Sequence, residues 1–393
     1  MNRLLLPLLV LISFISCQDD SDLISIENEM YPAVQATFGT TIDLDNLANY
    51  ANQSIPAYIS KNNTNGNSIT NEVATLGRVL FYDKNLSSNN TISCASCHQQ
   101  ENAFSDTAVA SQGVNGTTGR HSMRLINTRF AAETKFFWDE RALNLETQTT
   151  MPIKDHGEMG FSGTNGDLPF SGLITKLSAI DYYRELFDFA YGSSEITENK
   201  IQIALAQFIR SIQSFDSKYD AGRALAANEG QPFSNFTPQE NQGKNLFLAP
   251  PMFNANGSRI GGGLGCAGCH RAPEFDIDPN SLNNGIIGTI GGVGIDIGNT
   301  RAPSLRDLVK VDGTTNGPMM HTGVITTLQA AIGHYGTINL APGNSNLDPR
   351  LRPSGVGQQL NLTAIEVNAV IAFLRTLSGT DVYTNPKWSD PFN

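Results

Sequence analysis

A chain of 393 residues is longer than one core of ordinary size accommodates, so two domains are the first expectation. A formal net charge of −11 with no run of lysine or arginine argues against nucleic acid as a partner. Hydrophobic content of 40% beside 36 glycines and 18 prolines describes a globular protein with abundant irregular loop.

Met1 to Cys17 carries one basic residue, Arg3, and then an apolar run from Leu4 to Ile15. That run is too short to span a bilayer and is built like a secretory signal. Ser16-Cys17 ends it as a bacterial lipobox would, with Phe14 where that pattern prefers leucine; an ordinary cleaved signal is the alternative. Lipidation at Cys17 would hold the protein in the cell envelope, as a periplasmic or outer-membrane lipoprotein whose contact with the membrane is the lipid anchor only. Residues 18–67 are largely polar and end in Lys61-Asn-Asn-Thr-Asn-Gly-Asn67, which reads as a linker with one short helix at most.

From Asn71, the residues Val73, Leu76, Val79 and Leu80 recur at helical spacing and lead to Cys94-Ala-Ser-Cys97-His98. Two thiols separated by two residues can each form a thioether to one vinyl group of a porphyrin, and the histidine that follows then falls beneath the iron. This spacing is that of a c-type haem attachment site. Half of a zinc site is the alternative for any Cys-x-x-Cys, although a tetrathiolate site does not need a histidine after both pairs. Ile201, Leu205, Phe208 and Ile212 then form one apolar stripe through Glu198 to Phe215.

The same order returns in the second half. A helix over Glu240 to Phe247 precedes a glycine-rich stretch and Cys266-Ala-Gly-Cys269-His270. A closing helix carries Val367, Val370, Ile371, Leu374 and Leu377, with Thr363 and Glu366 as a capping box and Gly379 as its stop. The two cysteine motifs use every cysteine except Cys17. The repeat predicts an all-α protein of two cytochrome c-like domains, 68–230 and 231–393, each binding one covalent c-type haem.

Between the motifs stand Phe137-Trp-Asp-Glu-Arg-Ala and then Gln148, Pro152 and Glu158. Together with Leu76-Gly-Arg-Val-Leu-Phe-Tyr-Asp, Ile92-Ser-Cys-Ala-Ser-Cys-His, Arg301-Ala-Pro-Ser-Leu-Arg and Met320-His-Thr-Gly, they carry a resemblance. From about Leu76 to Leu377 the chain resembles the bacterial di-haem cytochrome c peroxidases and their relative, the di-haem enzyme that matures a tryptophan-derived cofactor in methylamine dehydrogenase. The resemblance implies that His98 is the proximal ligand of a reactive haem, with Glu158 as acid/base, Gln148 as hydrogen-bond donor and Pro152 in the distal pocket, where it cannot ligate iron. It makes Trp138 the bridge to a second haem ligated by His270, whose sixth ligand is Tyr335. Helical spacing agrees with Tyr335, which shares a face with Leu328, Ala331 and Ile332. His334 is the runner-up, with Met319 and Met320 behind it.

The chain also departs from the family pattern. His121 stands where relatives place an asparagine that helps bind calcium, and imidazole is a poor ligand for a hard cation, so calcium requires carbonyls and water here. Glu140 replaces a glycine and Thr322 an aspartate, and no histidine lies near Gly113 to close the reactive haem, which implies a site open to peroxide. For His121, His156 and His321, structural roles are expected. The activity implied is reduction of hydrogen peroxide to water with electrons from a small cytochrome c or cupredoxin, passed from the second haem through Trp138 to the first, in a chain whose relatives are often homodimers. The alternatives are a di-haem oxidase modifying a protein or metabolite, and a non-enzymatic electron-transfer lipoprotein of the envelope with both irons closed.

Overall fold

Thr70, Thr197, Thr237 and Thr363 each accept a hydrogen bond from the backbone N–H three residues on, and each opens one of the four helices that organise the fold. The computed structural model describes residues 30–393, so the signal, the lipobox and Cys17 lie outside the described residues. Among the described residues the helices are α1 (Pro32–Phe38), α2 (Asn71–Tyr82), α3 (Leu145–Thr150), α4 (Phe170–Ser178), α5 (Asp181–Tyr191), α6 (Glu198–Ser211), α7 (Lys218–Arg223), α8 (Pro238–Leu248), α9 (Leu328–Gly336) and α10 (Ala364–Arg375). Sheet is confined to three antiparallel ribbons: β1 (Gln112–Gly113) with β2 (Gly116–Thr117), β3 (Pro251–Phe253) with β4 (Arg259–Gly262), and β5 (His270–Arg271) with β6 (Asp276–Ile277). The fold is therefore mostly helical with little sheet. Strands of two to four residues are too short to leave an alternating pattern in the sequence.

The repeat is visible in how the helices touch. Where α2 crosses α6, Gly77 lies so close that a Cβ would stand 2.0 Å from the Ala204 carbonyl oxygen, with Phe208 beside it. Where α8 crosses α10, a Cβ on Gly243 would stand 1.9 Å from the Ala369 carbonyl oxygen, with Phe373 beside it. Each crossing admits only glycine, and each glycine helix leads into a cysteine-bearing turn, Cys94–Ser96 or Cys266–Gly268. Around the crossings, Leu76, Phe81 and Phe208 on one side and Phe275 and Phe373 on the other are fully buried, each contributing about 1.5–3 kcal/mol relative to exposure.

Among the described residues two large hydrophobic clusters result, with a small third of Ile338, Leu347 and Leu351. The first runs from Val34 to Ile212 and is joined by Val382 and Trp388; the second runs from Tyr219 to Leu377. Cluster membership changes between Ile212 and Tyr219. Between the clusters Arg306, fully buried, pairs with Asp220 at 2.9 Å. The late residues close the first cluster: the Trp388 carbonyl accepts from the Tyr82 hydroxyl at 2.6 Å, the Lys387 carbonyl from the Tyr50 hydroxyl at 2.6 Å, and the Ser389 carbonyl from Arg78 Nε at 2.7 Å.

Three expectations about local structure are corrected. The described part of residues 18–67 is packed rather than a linker, since Phe38 and Tyr50 are core residues and Lys61 forms ion pairs with Glu274 (3.2 Å) and Asp276 across to the second cluster. Helix α6 stops at Ser211 and not at Phe215, because Ile212 turns extended and its carbonyl accepts from Asn127 N–H at 3.0 Å. Gly379 is not the stop of α10, which ends at Arg375; its N–H donates to Asp307 at 2.9 Å, and a Cβ there would stand 2.0 Å from Asp216 Oδ1.

Candidate active site

The first cysteine motif folds on itself. The N–H groups of Cys97 and His98 both donate to the Cys94 carbonyl, at 3.1 and 3.0 Å, which brings the imidazole back beside the thiols. His98 Nδ1 lies 3.2 Å from the Phe104 carbonyl oxygen, so Nδ1 carries the proton and Nε2 keeps its lone pair. Burial pulls the ring pKa down to about 4, so the imidazole is neutral. Cys94, Cys97 and His98 line a cavity of about 600 Å³.

The second motif repeats the turn. Gly265 enters it at φ 75°, the Cys269 N–H donates to the Cys266 carbonyl at 3.2 Å, and His270 is fixed by β5 pairing opposite Ile277. Burial lowers His270 to about 4, and its Nδ1 has no hydrogen-bond partner. Cys266, Cys269 and His270 line a second cavity of about 710 Å³. Two thiols and a neutral imidazole on the wall of each cavity are a donor set that fits a covalently attached haem. Zinc fits poorly: the two thiol pairs line different cavities, and among the described residues no group of three or more His, Cys, Asp or Glu is placed to hold a metal ion.

Gln148, Pro152 and Glu158 all line the first cavity. Gln148 projects from α3, whose start is capped by Asn144 accepting from Thr147 N–H at 2.8 Å. Pro152 follows the end of α3, and the next turn returns Glu158, half-buried, with its N–H on Asp155 Oδ1 at 3.0 Å. Burial and then the neighbouring Asp155 charge push the Glu158 carboxyl up to about 7. The β1–β2 ribbon packs against this turn: Val114 N–H donates to the Glu158 carbonyl at 3.0 Å, and a Cβ on Gly113 would stand 2.1 Å from the Gly157 oxygen. No side chain fits at Gly113.

Trp138 lines both cavities. Its indole N–H donates to the His121 carbonyl at 2.7 Å, and its ring lies edge-on to His321 at 6.2 Å. Below it, Arg120 spans Asp139 (2.8 Å) and Asp296 (2.7 Å). Glu140 adopts φ 56°, the conformation a glycine would take freely, and accepts from the Thr300 hydroxyl at 2.6 Å. The other histidines are engaged locally: His121 Nδ1 with the Ala108 carbonyl (3.0 Å), His156 with Asp167 (2.9 Å) and His321 with the Gly288 carbonyl (2.9 Å).

In the second cavity, Tyr335, Met319 and Met320 are lining residues, whereas His334 is not. His334 Nε2 faces the Asn284 carbonyl at 2.9 Å, and the Asn284 side-chain amide donates to the Tyr335 hydroxyl and the Met320 sulfur, both at 3.2 Å. Burial raises the Tyr335 phenol above its ordinary range. Sequence reasoning missed Asn284, one asparagine among many in a loop, and the place of Arg124 and Arg301 between the cavities.

Residues 71–228 match the family model described as di-haem cytochrome c peroxidase. Over 335 residues the chain is 30% identical to the methylamine utilization protein MauG of Methylophilus methylotrophus, covering 83% of this chain and 86% of that protein. It is 26% identical over 323 residues to the cytochrome c551 peroxidase of Nitrosomonas europaea, covering 78% and 80% of the two chains. Among solved structures, a MauG-like protein associated with microbial copper homeostasis superposes with a TM-score of 0.67 at 29% identity, over 87% of this chain and 99% of that one. The diheme peroxidase BthA of Burkholderia thailandensis shares the fold, with a TM-score of 0.61 at 20% identity over 87% and 96% of the two chains.

Proposed function

Because the chain belongs to the di-haem cytochrome c peroxidase family, we propose that it is an oxidoreductase reducing hydrogen peroxide to water with electrons from a small redox protein. Two c-type haems, held by Cys94, Cys97 and His98 and by Cys266, Cys269 and His270, would supply the electron-transfer and peroxide-reducing chemistry when bound. The observation that carries the reading is the convergence of Glu158, Gln148 and Pro152 on the cavity of His98, with Trp138 in the wall toward the cavity of His270.

Glu158 takes the proton from the near oxygen of peroxide and returns it to the departing oxygen, a task suited to a carboxyl whose pKa is about 7. The Gln148 amide donates to the hydroxide as it leaves. Pro152 offers neither an N–H nor a side-chain lone pair, so it keeps the site narrow without closing it. Trp138 would be the chain's own conduit between the cavities, and Tyr335, on the wall of the second, would serve as a ligand to the haem held there. On this reading each motif belongs to a cytochrome c-like domain, and a secretory leader at Met1 to Cys17 would carry the protein to the cell envelope. No helix among the described residues is long and apolar enough to cross a membrane.

The test is peroxide-dependent oxidation of reduced cytochrome c or cupredoxin by the purified protein. Glu158→Ala should abolish it while both haems remain by pyridine haemochrome assay; full activity in that variant would sink the reading. Tyr335 on the second cavity favours a second reading, an oxidase acting on a protein or metabolite. Slow cytochrome turnover, with a long-lived oxidised state after stoichiometric peroxide, would select it.

A further inference from the structure

Two side chains able to ligate iron stand together on the wall of the second cavity, and one amide reaches both. The Asn284 amide nitrogen lies 3.2 Å from the Tyr335 hydroxyl oxygen and 3.2 Å from the Met320 sulfur. The Ile286 N–H donates to Asn284 Oδ1 at 3.1 Å, which fixes the orientation of the amide and leaves its two N–H groups for the oxygen and the sulfur. The segment behind it is clamped. Asn283, fully buried, donates from its side chain to the Ile297 carbonyl (3.1 Å) and Asn344 Oδ1 (2.8 Å), and its main chain pairs with Asn346 and Asp348 at 3.0 Å each. Met320 is constrained as well. At φ 68° it occupies the left-handed region that side-chain-bearing residues avoid, and its carbonyl accepts from the Gly323 N–H at 3.1 Å.

We propose that Asn284 is a positioning residue that decides which of the two becomes the sixth ligand of the second haem, presenting the Tyr335 oxygen to the iron and tethering the Met320 sulfur away from it. The inference rests on the reading of Tyr335 as that ligand. An N–H donated to a ligating phenol oxygen stabilises the charge that the oxygen carries and leaves it a lone pair for the metal. An N–H donated to a thioether engages a weak acceptor and holds an otherwise flexible side chain in one place. Among the described residues neither the Tyr335 hydroxyl nor the Met320 sulfur has a second hydrogen-bond partner, so the choice falls to this amide. The outcome is a potential: a thioether ligand raises the reduction potential of a c-type haem, and an anionic oxygen lowers it.

The test reads the haem-loaded protein without peroxide, by optical and EPR spectra of the ferric state and by spectroelectrochemical titration. Asn284→Leu keeps the size of the side chain and removes both N–H groups. It should bring one haem to histidine–thioether ligation, seen as the long-wavelength charge-transfer band of sulfur-bound ferric iron, and raise that haem's midpoint potential while the other stays in place. Adding Met320→Leu to Asn284→Leu should abolish the band, and Met320→Leu alone should match wild type. If Asn284→Leu does not accumulate, Asn284→Ala should show the same band and the same upward shift. Asn284 variants with wild-type spectra and potentials, a shift at both haems alike, or a band that survives loss of Met320 would each overturn the inference. Tyr335→Phe separates it from the reading beneath: if that substitution leaves both haem spectra unchanged, Tyr335 is not the ligand, whereas if it changes one of them and the Asn284 variants change neither, only the role of Asn284 falls.

Discussion

The indole N–H of Trp138 donates to the His121 carbonyl at 2.7 Å, while the Trp138 carbonyl accepts from the N–H groups of Thr300 and Arg301 at 2.9 and 3.1 Å. The tryptophan is thus tied at its ring to the segment after the first cysteine motif and at its backbone to the segment after the second. For the electron bridge proposed above, these bonds would hold the indole at a fixed place between the two cavities. Trp138→Phe keeps much of the ring and loses both the bond and the readily oxidised indole. Peroxide-driven donor oxidation should fall by about tenfold or more, a barrier increase of about 1.4 kcal/mol, with haem content unchanged by absorbance. Stopped-flow rates equal to wild type would remove Trp138 from the path.

As the proposed acid/base, Glu158 should set the acid limb of the pH profile. With its carboxyl at about 7, the proton-accepting form is lost as pH falls through that value, so the rate with peroxide should rise with pH across neutrality. Glu158→Gln should lower the rate by roughly 10²–10⁴-fold and flatten that limb. Stability follows the opposite sense. The folded-state value lies above that of a free carboxyl, so the fold favours the protonated form, and that contribution is lost as pH climbs through about 7. Glu158→Gln should therefore unfold no earlier than wild type at about pH 8 in a thermal melt.

Tyr335 and His334 are adjacent in α9 yet face different surroundings. Only Tyr335 lines the second cavity, while His334 is held on the Asn284 carbonyl. Tyr335→Phe should change the spin state of one ferric haem in the EPR spectrum, and His334→Ala should leave the spectrum as it is. The reverse result would reassign the sixth ligand.

Gly77→Ala and Gly243→Ala test the two helix crossings. In each the new methyl would sit about 2 Å from a backbone oxygen, so the helices must part. Each substitution should cost about 1–3 kcal/mol in chemical denaturation. Equal and independent losses would fit two equivalent units, and a neutral substitution would contradict the close approach.

A Cys-x-x-Cys-His motif is a purely local spacing, so both cysteine turns were legible as sequence, and the covalent haem each would hold is part of the function proposed above. The stripe of Val73, Leu76, Val79 and Leu80 likewise marked α2, and Thr363 with Glu366 marked the start of α10. What the sequence hid depends on distant partners. Tyr50 sits in a polar stretch with no periodicity and is buried by distant partners, its ring against Phe208 and its hydroxyl on the Lys387 carbonyl. Ile212 continues the stripe of α6 but leaves the helix to pair with Asn127. Arg124 reads as an ordinary basic residue until the two cavities are seen to share its wall.

Residues 382–388 follow the whole of the second cluster in the chain, yet Val382 and Trp388 belong to the first. Synthesis from N- to C-terminus therefore delivers the last pieces of the first cluster after everything else. A nascent chain would expose the Tyr50 and Tyr82 hydroxyls until that strap arrived, so the first cluster is finished by the last part of the chain to be made.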